Sequence, residues 1–332
     1  MENKQHDSFV IYRLPSENTC YLIEGSCNPE PKQIEELKGN NFVISPFNSG
    51  QKAFYIPYSE ARIFSIQERF PIHFGHNGEA SLPKEHYTNL VSEAKEQMKK
   101  GTFHKVVLAN TKRINTNSFD PISFFKKIEK EYPNAFVYVL STPYTGVWIG
   151  ASPEILLIGK NSNFKTIALA GTKLIDSISD FGVKEIEEQH LVEQFIENEL
   201  NQKKIRFSKT GPLPYNSGAL THLKSEYSFT LLQNEAFKLL SNLNPTPAIA
   251  GLPKIESLKF IKEKEGFERS LYAGFLGPLS PDSLSLFVNL RCLTWYNGFL
   301  KLYAGAGITI DSNEEKEWIE TQNKMKTLEK FI

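Results

Sequence analysis

The sequence predicts an α+β fold of layered antiparallel sheets with helices outside. Three observations carry that expectation. Strand-like runs come as hairpins: 135–141 and 147–159 flank Pro143-Tyr144-Thr145-Gly146, and the run 285–310 turns at Asn297-Gly298. Asn-Gly between alternating apolar runs is a strong short-range hairpin signal. Strands do not alternate one-for-one with helices, so parallel βαβ units are not indicated. No Pro/Gly/Ser-rich linker divides the 332 residues, which read as one composite domain.

The elements follow in order. Phe9–Tyr12, Ala53–Tyr58 and Ile63–Ile66 are short β-like runs between Asn-, Gly- and Pro-rich turns. Tyr87–Lys100 has a helical pattern and Gly101 stops it. A strand starts at Lys105, and TIALAGT (166–172) is another. Val183–Asn201 reads as a long helix. After a loop, Ser225–Asn242 and Ser257–Gly266 read as helices, and Glu314–Phe331 closes the chain as one.

Composition excludes several classes. Lys+Arg and Asp+Glu are both 38, so no basic excess suggests nucleic acid as a partner. Apolar residues make up 40% and charged residues 23%, as in ordinary globular proteins. Cys20, Cys27 and Cys292 are odd in number and form no C-x-x-C, which fits a reducing compartment. The first fifteen residues lack the apolar core of a signal peptide. The most apolar stretch, Phe136–Gly159, is broken by Pro143, Gly146, Pro153 and Glu154 and should not span a membrane. A cytoplasmic location is expected. His73 and His76 read as residues of a solvated loop rather than metal ligands.

Two helices carry polar residues on their apolar stripes. Glu188 shares a face with Leu191, Val192 and Phe195 at i, i+3, i+4 and i+7. This carboxylate marks where the stripe meets solvent or pairs with a lysine, or else it is buried and needs a cation or hydrogen bonds. Glu317, Glu320, Thr321, Lys324, Leu328 and Phe331 share one face of the last helix. Carboxylates one turn apart can hold a hard cation such as Mg²⁺. The simpler reading of the pattern is an i,i+4 surface pair, Glu320 with Lys324. The run AGAG (304–307) is no phosphate loop. It is either a place where a carboxylate approaches the backbone or a tightly packed strand bend.

Nine segments then match a known family in order: KVVLAN (105–110), GASPEILL (150–157), ALAGT (168–172), EEQHLV (187–192), THL (221–223), NPTPAIAGLP (244–253), ERSLYAGFLG (268–277), NLRC (289–292) and YAGAGITIDSNEEKEWIETQNK (303–324). Together they resemble the chorismate-utilising enzymes, and within them the isochorismate synthases. The resemblance is strong over 86–330 and weak over 1–85. It implies the same α+β fold, chorismate as substrate and Mg²⁺ as cofactor.

It also implies roles. Isochorismate synthases add water at C2 of chorismate as the C4 hydroxyl leaves. By resemblance Lys105 is the base and Glu154 the acid. Such chemistry requires a lysine with a lowered pKa and a glutamate with a raised one. Glu188 and Glu320, with Glu317 beside them, match the metal ligands. Arg291 and Lys324 match the residues that hold substrate carboxylates. Gly171, Thr172, Ala248, Tyr303 and Gly305 fall among the substrate contacts. His222 matches a histidine near the ring, with a purely structural role as the alternative.

Within the family, Ala170 disfavours aminodeoxychorismate synthase, which places a lysine there. PTPAIAGLP differs from the AGTMSGAPK of anthranilate synthases. Lys105 suits a water-activating enzyme, and no glutaminase subunit is expected. Salicylate synthases share nearly all the motifs. A non-catalytic binding relative is disfavoured by the intact Lys105, Glu154, Glu188 and Glu320. Menaquinone synthesis is favoured over siderophore synthesis as the pathway. Three positions depart from the family pattern: Asn110 for arginine, and Gln189 and Asn244 for histidine.

Overall fold

Along the first strand, Val10 and Tyr12 pack into one core while Phe9 and Ile11 pack into another. Period-two alternation with apolar residues on both faces is the mark of a central strand covered on both sides. In the computed structural model of the chain, residues 6–48, 52–65, 69–75, 81–116, 118–175, 180–218 and 220–332 are described.

Up to residue 84 the elements are β1 (Ser8–Arg13), β2 (Tyr21–Gly25), β3 (Lys32–Gln33), β4 (Asn40–Ser45), β5 (Lys52–Tyr58) and β6 (Arg62–Ile63). Next come α1 (Lys84–Lys99), β7 (Lys105–Asn115), α2 (Pro121–Glu131), β8 (Phe136–Thr142), β9 (Gly146–Ser152), β10 (Ile155–Lys160) and β11 (Asn163–Leu174). They are followed by α3 (Val183–Gln202), β12 (Phe207–Ser217), β13 (Leu220–Thr230), α4 (Gln233–Leu243), β14 (Gly251–Leu252) and α5 (Lys254–Lys264). The chain closes with β15 (Phe275–Leu279), β16 (Ser283–Val288), β17 (Cys292–Tyr296), β18 (Phe299–Ile308) and α6 (Glu314–Glu329).

Among the described residues these strands form two nine-stranded sheets. One runs β14-β7-β18-β17-β9-β8-β1-β2-β6 and the other β12-β13-β11-β10-β16-β15-β4-β5-β3. The strand pairings are antiparallel, as the hairpin pattern predicts. The sheets face each other across the main core. Phe136 of β8 stacks on Phe287 of β16 with ring centroids 4.2 Å apart. The second core lies on the other face of the first sheet, under Phe125 and Ile128 of α2 and Met325 and Leu328 of α6.

Two of the chain's passages between the sheets lie side by side. Pro153-Glu154 carries the chain from β9 in the first sheet to β10 in the second. Asn289-Leu290-Arg291 carries it back from β16 to β17. The crossings are tied together: Val288 N–H donates to Glu154 O (3.0 Å) and Ala151 N–H to Arg291 O (3.1 Å). Arg291 has φ +47°, in the left-handed region where a side chain is strained.

Several expectations are corrected. Residues 225–230 belong to strand β13, not to a helix, and α4 begins only at Gln233. In β13 Leu223, Ser225, Tyr227 and Phe229 are buried while Lys224, Glu226 and Ser228 are less so, a period of two. The expected loop before it contains β12, an exposed edge strand without apolar alternation. The run 285–310 holds three strands, because the crossing at 289–291 interrupts it. The run 147–159 likewise splits between sheets at Pro153-Glu154. Helix α2 was not anticipated, although Asp120 caps Ile122 N–H (2.9 Å) and Pro121 opens the first turn.

Candidate active site

A cleft of about 790 Å³, counted with its opening to solvent, lies beside the two crossings. Twelve of the thirteen residues singled out in the sequence line it: Lys105, Glu154, Gly171, Thr172, Glu188, His222, Ala248, Arg291, Tyr303, Gly305, Glu320 and Lys324. Glu317 does not line the cleft but pairs with Lys184 beside it.

Lys105, first residue of β7, is 2% exposed. Burial pulls its pKa below the ordinary lysine value; Glu188 opposes the shift, and Lys324 and Lys184 reinforce it. Gly307 lies next to this pair on β18. A Cβ there would stand 3.0 Å from Glu188 Oε1 and 3.1 Å from Lys105 Cε, so the glycine leaves room for both side chains. Glu154 is 4% exposed, and burial pushes its carboxyl up to about 8 against the pull of Lys105 and Lys324. Isolated charges are costly in a buried site, so each group is driven toward its neutral form.

Gly171 has φ +60° and sits at a register shift in β11, where Ala170 faces Leu223 and Thr172 faces His222. This is a β-bulge, one extra residue that re-aims its neighbours. A Cβ at Gly171 would come within 2.6 Å of Glu185 O in α3. Gln189 secures the bulge: its Oε1 accepts from Ala170 N–H (2.9 Å) and its Nε2 donates to Ala168 O (3.2 Å). That departure from the family pattern therefore has a structural use. Asn110 likewise donates to Thr321 Oγ1 of α6 at 2.9 Å. Asn244 is buried beside Pro245, and its Oδ1 has no hydrogen-bond partner.

Arg291 extends from the second crossing. Its Nη1 donates to Ser217 O (3.1 Å) and to Ser217 Oγ, and its Nη2 to His222 Nε2 (2.6 Å). A guanidinium only donates, so His222 Nε2 is bare and its proton sits on Nδ1, directed at Thr172 Oγ1 (3.1 Å). Burial, Arg291 and Lys324 hold this histidine well below its usual pKa. Burial draws Arg291 down to about 10, which leaves it cationic at neutral pH. Among the described residues no carboxylate pairs with it. A buried cation bonded only to neutral acceptors is suited to a ligand carboxylate.

The acids come from α3 and α6. Lys324 Nζ reaches Glu320 Oε1 (2.8 Å) and Gly305 O (2.8 Å), so the expected i,i+4 pair is present. Lys184 Nζ lies 2.5 Å from Glu317 Oε1 and 3.9 Å from Glu188 Oε1, the lysine pairing weighed for Glu188. Burial raises the Glu188 and Glu317 carboxyls, in both cases against Lys184. At Glu320 burial also raises the pKa, but Lys324 and Lys184 outweigh it and the net shift is downward. Glu317 Oε2 is buried without a hydrogen-bond partner. Among the described residues no three acidic, histidine or cysteine side chains already stand in a metal-holding geometry. The donor set nonetheless suits Mg²⁺, because it is oxygen only and includes that orphaned carboxylate oxygen.

Other residues escaped sequence reasoning. Tyr272 lines the cleft, stacks on Tyr303 (5.5 Å) and packs where a Gly305 side chain would be. Arg269 and Glu265 form a buried ion pair; Arg269 donates to Ile249 O (2.9 Å) and Val107 O (2.7 Å), fixing two cleft walls. ERSLYAGFLG contained Arg269 and Tyr272, but nothing in their spacing marked them. His73 Nε2 lies 2.7 Å from Asp7 O, while His76 falls outside the described residues.

Residues 65–332 match the chorismate binding enzyme family, and the chain belongs to it. Anthranilate synthase component 1 of Aquifex aeolicus is 28% identical over 279 residues, 77% of this chain and 54% of that protein. Chloroplastic isochorismate synthase 2 of Arabidopsis thaliana is 30% identical over 245 residues, 69% of this chain and 43% of that protein. The chain thus spans about half the length of these curated relatives. The solved structure of MenF, the menaquinone-specific isochorismate synthase of Escherichia coli, shares the fold. Its TM-score is 0.81 at 22% identity, over 99% of this chain and 89% of that one. Among the described residues no helix is long and apolar enough to cross a membrane.

Proposed function

We propose that the chain is an Mg²⁺-dependent isochorismate synthase. The observation that carries the reading is the pairing of buried Lys105, pKa lowered, with buried Glu154, pKa raised to about 8, in one cleft with the unpaired Arg291 cation. At neutral pH Glu154 holds a proton to give, and the shift at Lys105 favours the free amine that can take one.

Arg291 would fork to one substrate carboxylate, with His222 and Ser217 fixing the orientation of its guanidinium. Lys105 would take a proton from the water that attacks C2. As the C2–O bond forms, the two ring double bonds shift. The C4–O bond then breaks, and its oxygen leaves as water with the Glu154 proton. One proton is gained by Lys105 and one lost by Glu154, and transfer between them restores the resting state. Glu188, Glu317 and Glu320 would hold Mg²⁺, which supplies Lewis-acid polarisation at the ring carboxylate.

Anthranilate synthases are among the relatives, so ammonia attack on the same carbon is the second reading. One experiment separates the two: purified protein, chorismate and Mg²⁺ in H₂¹⁸O, with and without ammonium salts. The expected product carries ¹⁸O at C2, and no anthranilate appears. An aminated product formed at a matching rate overturns the reading. Salicylate with pyruvate would assign a salicylate synthase. Lys105→Ala should lower turnover by about two to four orders of magnitude. Menaquinone supply is the proposed pathway, checked by rescue of a menaquinone-requiring strain that lacks isochorismate synthase.

A further inference from the structure

We propose that Lys184 is the counter-ion that holds the Glu188, Glu317 and Glu320 group together in the metal-free enzyme, and that Mg²⁺ binds by displacing it from Glu317. The inference rests on the metal reading above and adds to it a competitor built into the chain.

The acids arrive from two helices, Glu188 from α3 and Glu317 and Glu320 from α6. Like charges brought together need a cation between them. Lys105 faces Glu188 from β7, and two further lysines bind the carboxylates directly and are held differently. Lys324 is anchored to a backbone carbonyl, Gly305 O (2.8 Å), as well as to Glu320. The polar contacts of Lys184 go to carboxylates: Glu317 at 2.5 Å and Glu188 at 3.9 Å. Lys184 lies in the first turn of α3 with its side chain 31% exposed, so it can swing to solvent without moving the helix.

Glu317 cannot do the same. It is 2% exposed, and its second oxygen already lacks a partner. Stripped of Lys184 and given nothing in return, it would be a bare buried carboxylate, a costly state. Departure of the lysine and arrival of another cation are therefore coupled. This also accounts for why no three carboxylates already stand around a common centre among the described residues. The ammonium occupies an oxygen that the metal would use.

The test is calorimetric titration of Mg²⁺ alone into substrate-free protein, with thermal unfolding in EDTA as a second readout. Lys184→Met should bind Mg²⁺ on the order of ten-fold more tightly than wild type, the scale of one partly buried ion pair. It should also unfold at a lower temperature in EDTA, with the gap narrowing at saturating Mg²⁺. Lys316→Met, which removes the same charge from an exposed position on α6, should change neither. Lys184→Arg keeps the charge and should bind no more tightly than wild type; tighter binding by it overturns the proposal. Lys184→Gln replaces the methionine variant if that one does not fold. Unchanged or weaker Mg²⁺ binding in the neutral variants, with wild-type binding intact, overturns this inference alone. No Mg²⁺ binding by wild type, even with chorismate present, removes both it and the metal reading.

Discussion

Glu154→Gln should make the protein more stable and less active at once. The native carboxyl titrates at about 8, raised from 4.5 by burial. Below pH 4.5 the folded and unfolded states both hold the proton, and the group costs nothing. Above it the unfolded chain releases the proton while the native state keeps it, so stability falls with each pH unit until the native group ionises. Each unit is worth about 1.4 kcal/mol, and at pH 7 the carboxyl stands about 2.5 units above its unfolded value, a cost of roughly 3 kcal/mol. Glutamine fills the same space and cannot ionise, so the variant should recover most of this. For a chain of this length that is a gain of about 4–5 °C in melting temperature, at an unfolding entropy of about 2.1 cal/mol/K per residue. The assay is thermal unfolding of both proteins in EDTA from pH 4 to 9. The gap should be absent near pH 4, widen through neutrality and level off above pH 8. Turnover should fall by about two to four orders of magnitude. A gap that is flat with pH, or a less stable variant at pH 7, would show that Glu154 is ionised in the native protein, and the acid role would fail with it.

Three further outcomes are expected. Arg291→Lys replaces the fork with a point charge and should weaken chorismate binding by roughly ten- to a hundred-fold, measured as KM or by direct titration. Glu320→Gln should keep the fold by circular dichroism yet lose Mg²⁺-dependent turnover, and EDTA should silence the wild type until Mg²⁺ is restored. Gly171→Ala places a Cβ within 2.6 Å of Glu185 O at φ +60°, so it should lower the melting temperature and raise KM by disturbing the bulge that sets Thr172 against His222.

The sequence revealed the site better than it revealed the path of the chain. Motif residues converge on one cleft although Lys105 and Lys324 lie more than two hundred positions apart. What failed was local. Residues 223–229 alternate in burial with period two and the helix begins only at Gln233, but Leu231 and Leu232 join the two patterns into one apolar run that reads as a longer helix. Strand β12 is exposed over most of its length and contains Pro212, so it carried neither periodicity nor strand composition. Asp120-Pro121 is a helix start legible in the sequence, a capping carboxylate followed by a first-turn proline. The meeting of Lys184 with Glu317 was out of reach, because it depends on how α3 and α6 settle against different sheets.

The two crossings give the site an unusual dependence on assembly. Glu154 and Arg291 each sit where the chain leaves one sheet for the other, and their neighbouring segments bond only when both passages are in register. Neither sheet alone can present both side chains to one ligand. Ligand affinity therefore reports on completion of the whole long-range topology rather than of any one half. In a refolding time course, native-like secondary structure should recover first and chorismate binding last. A nick or insertion at either passage should abolish binding even where each sheet still forms.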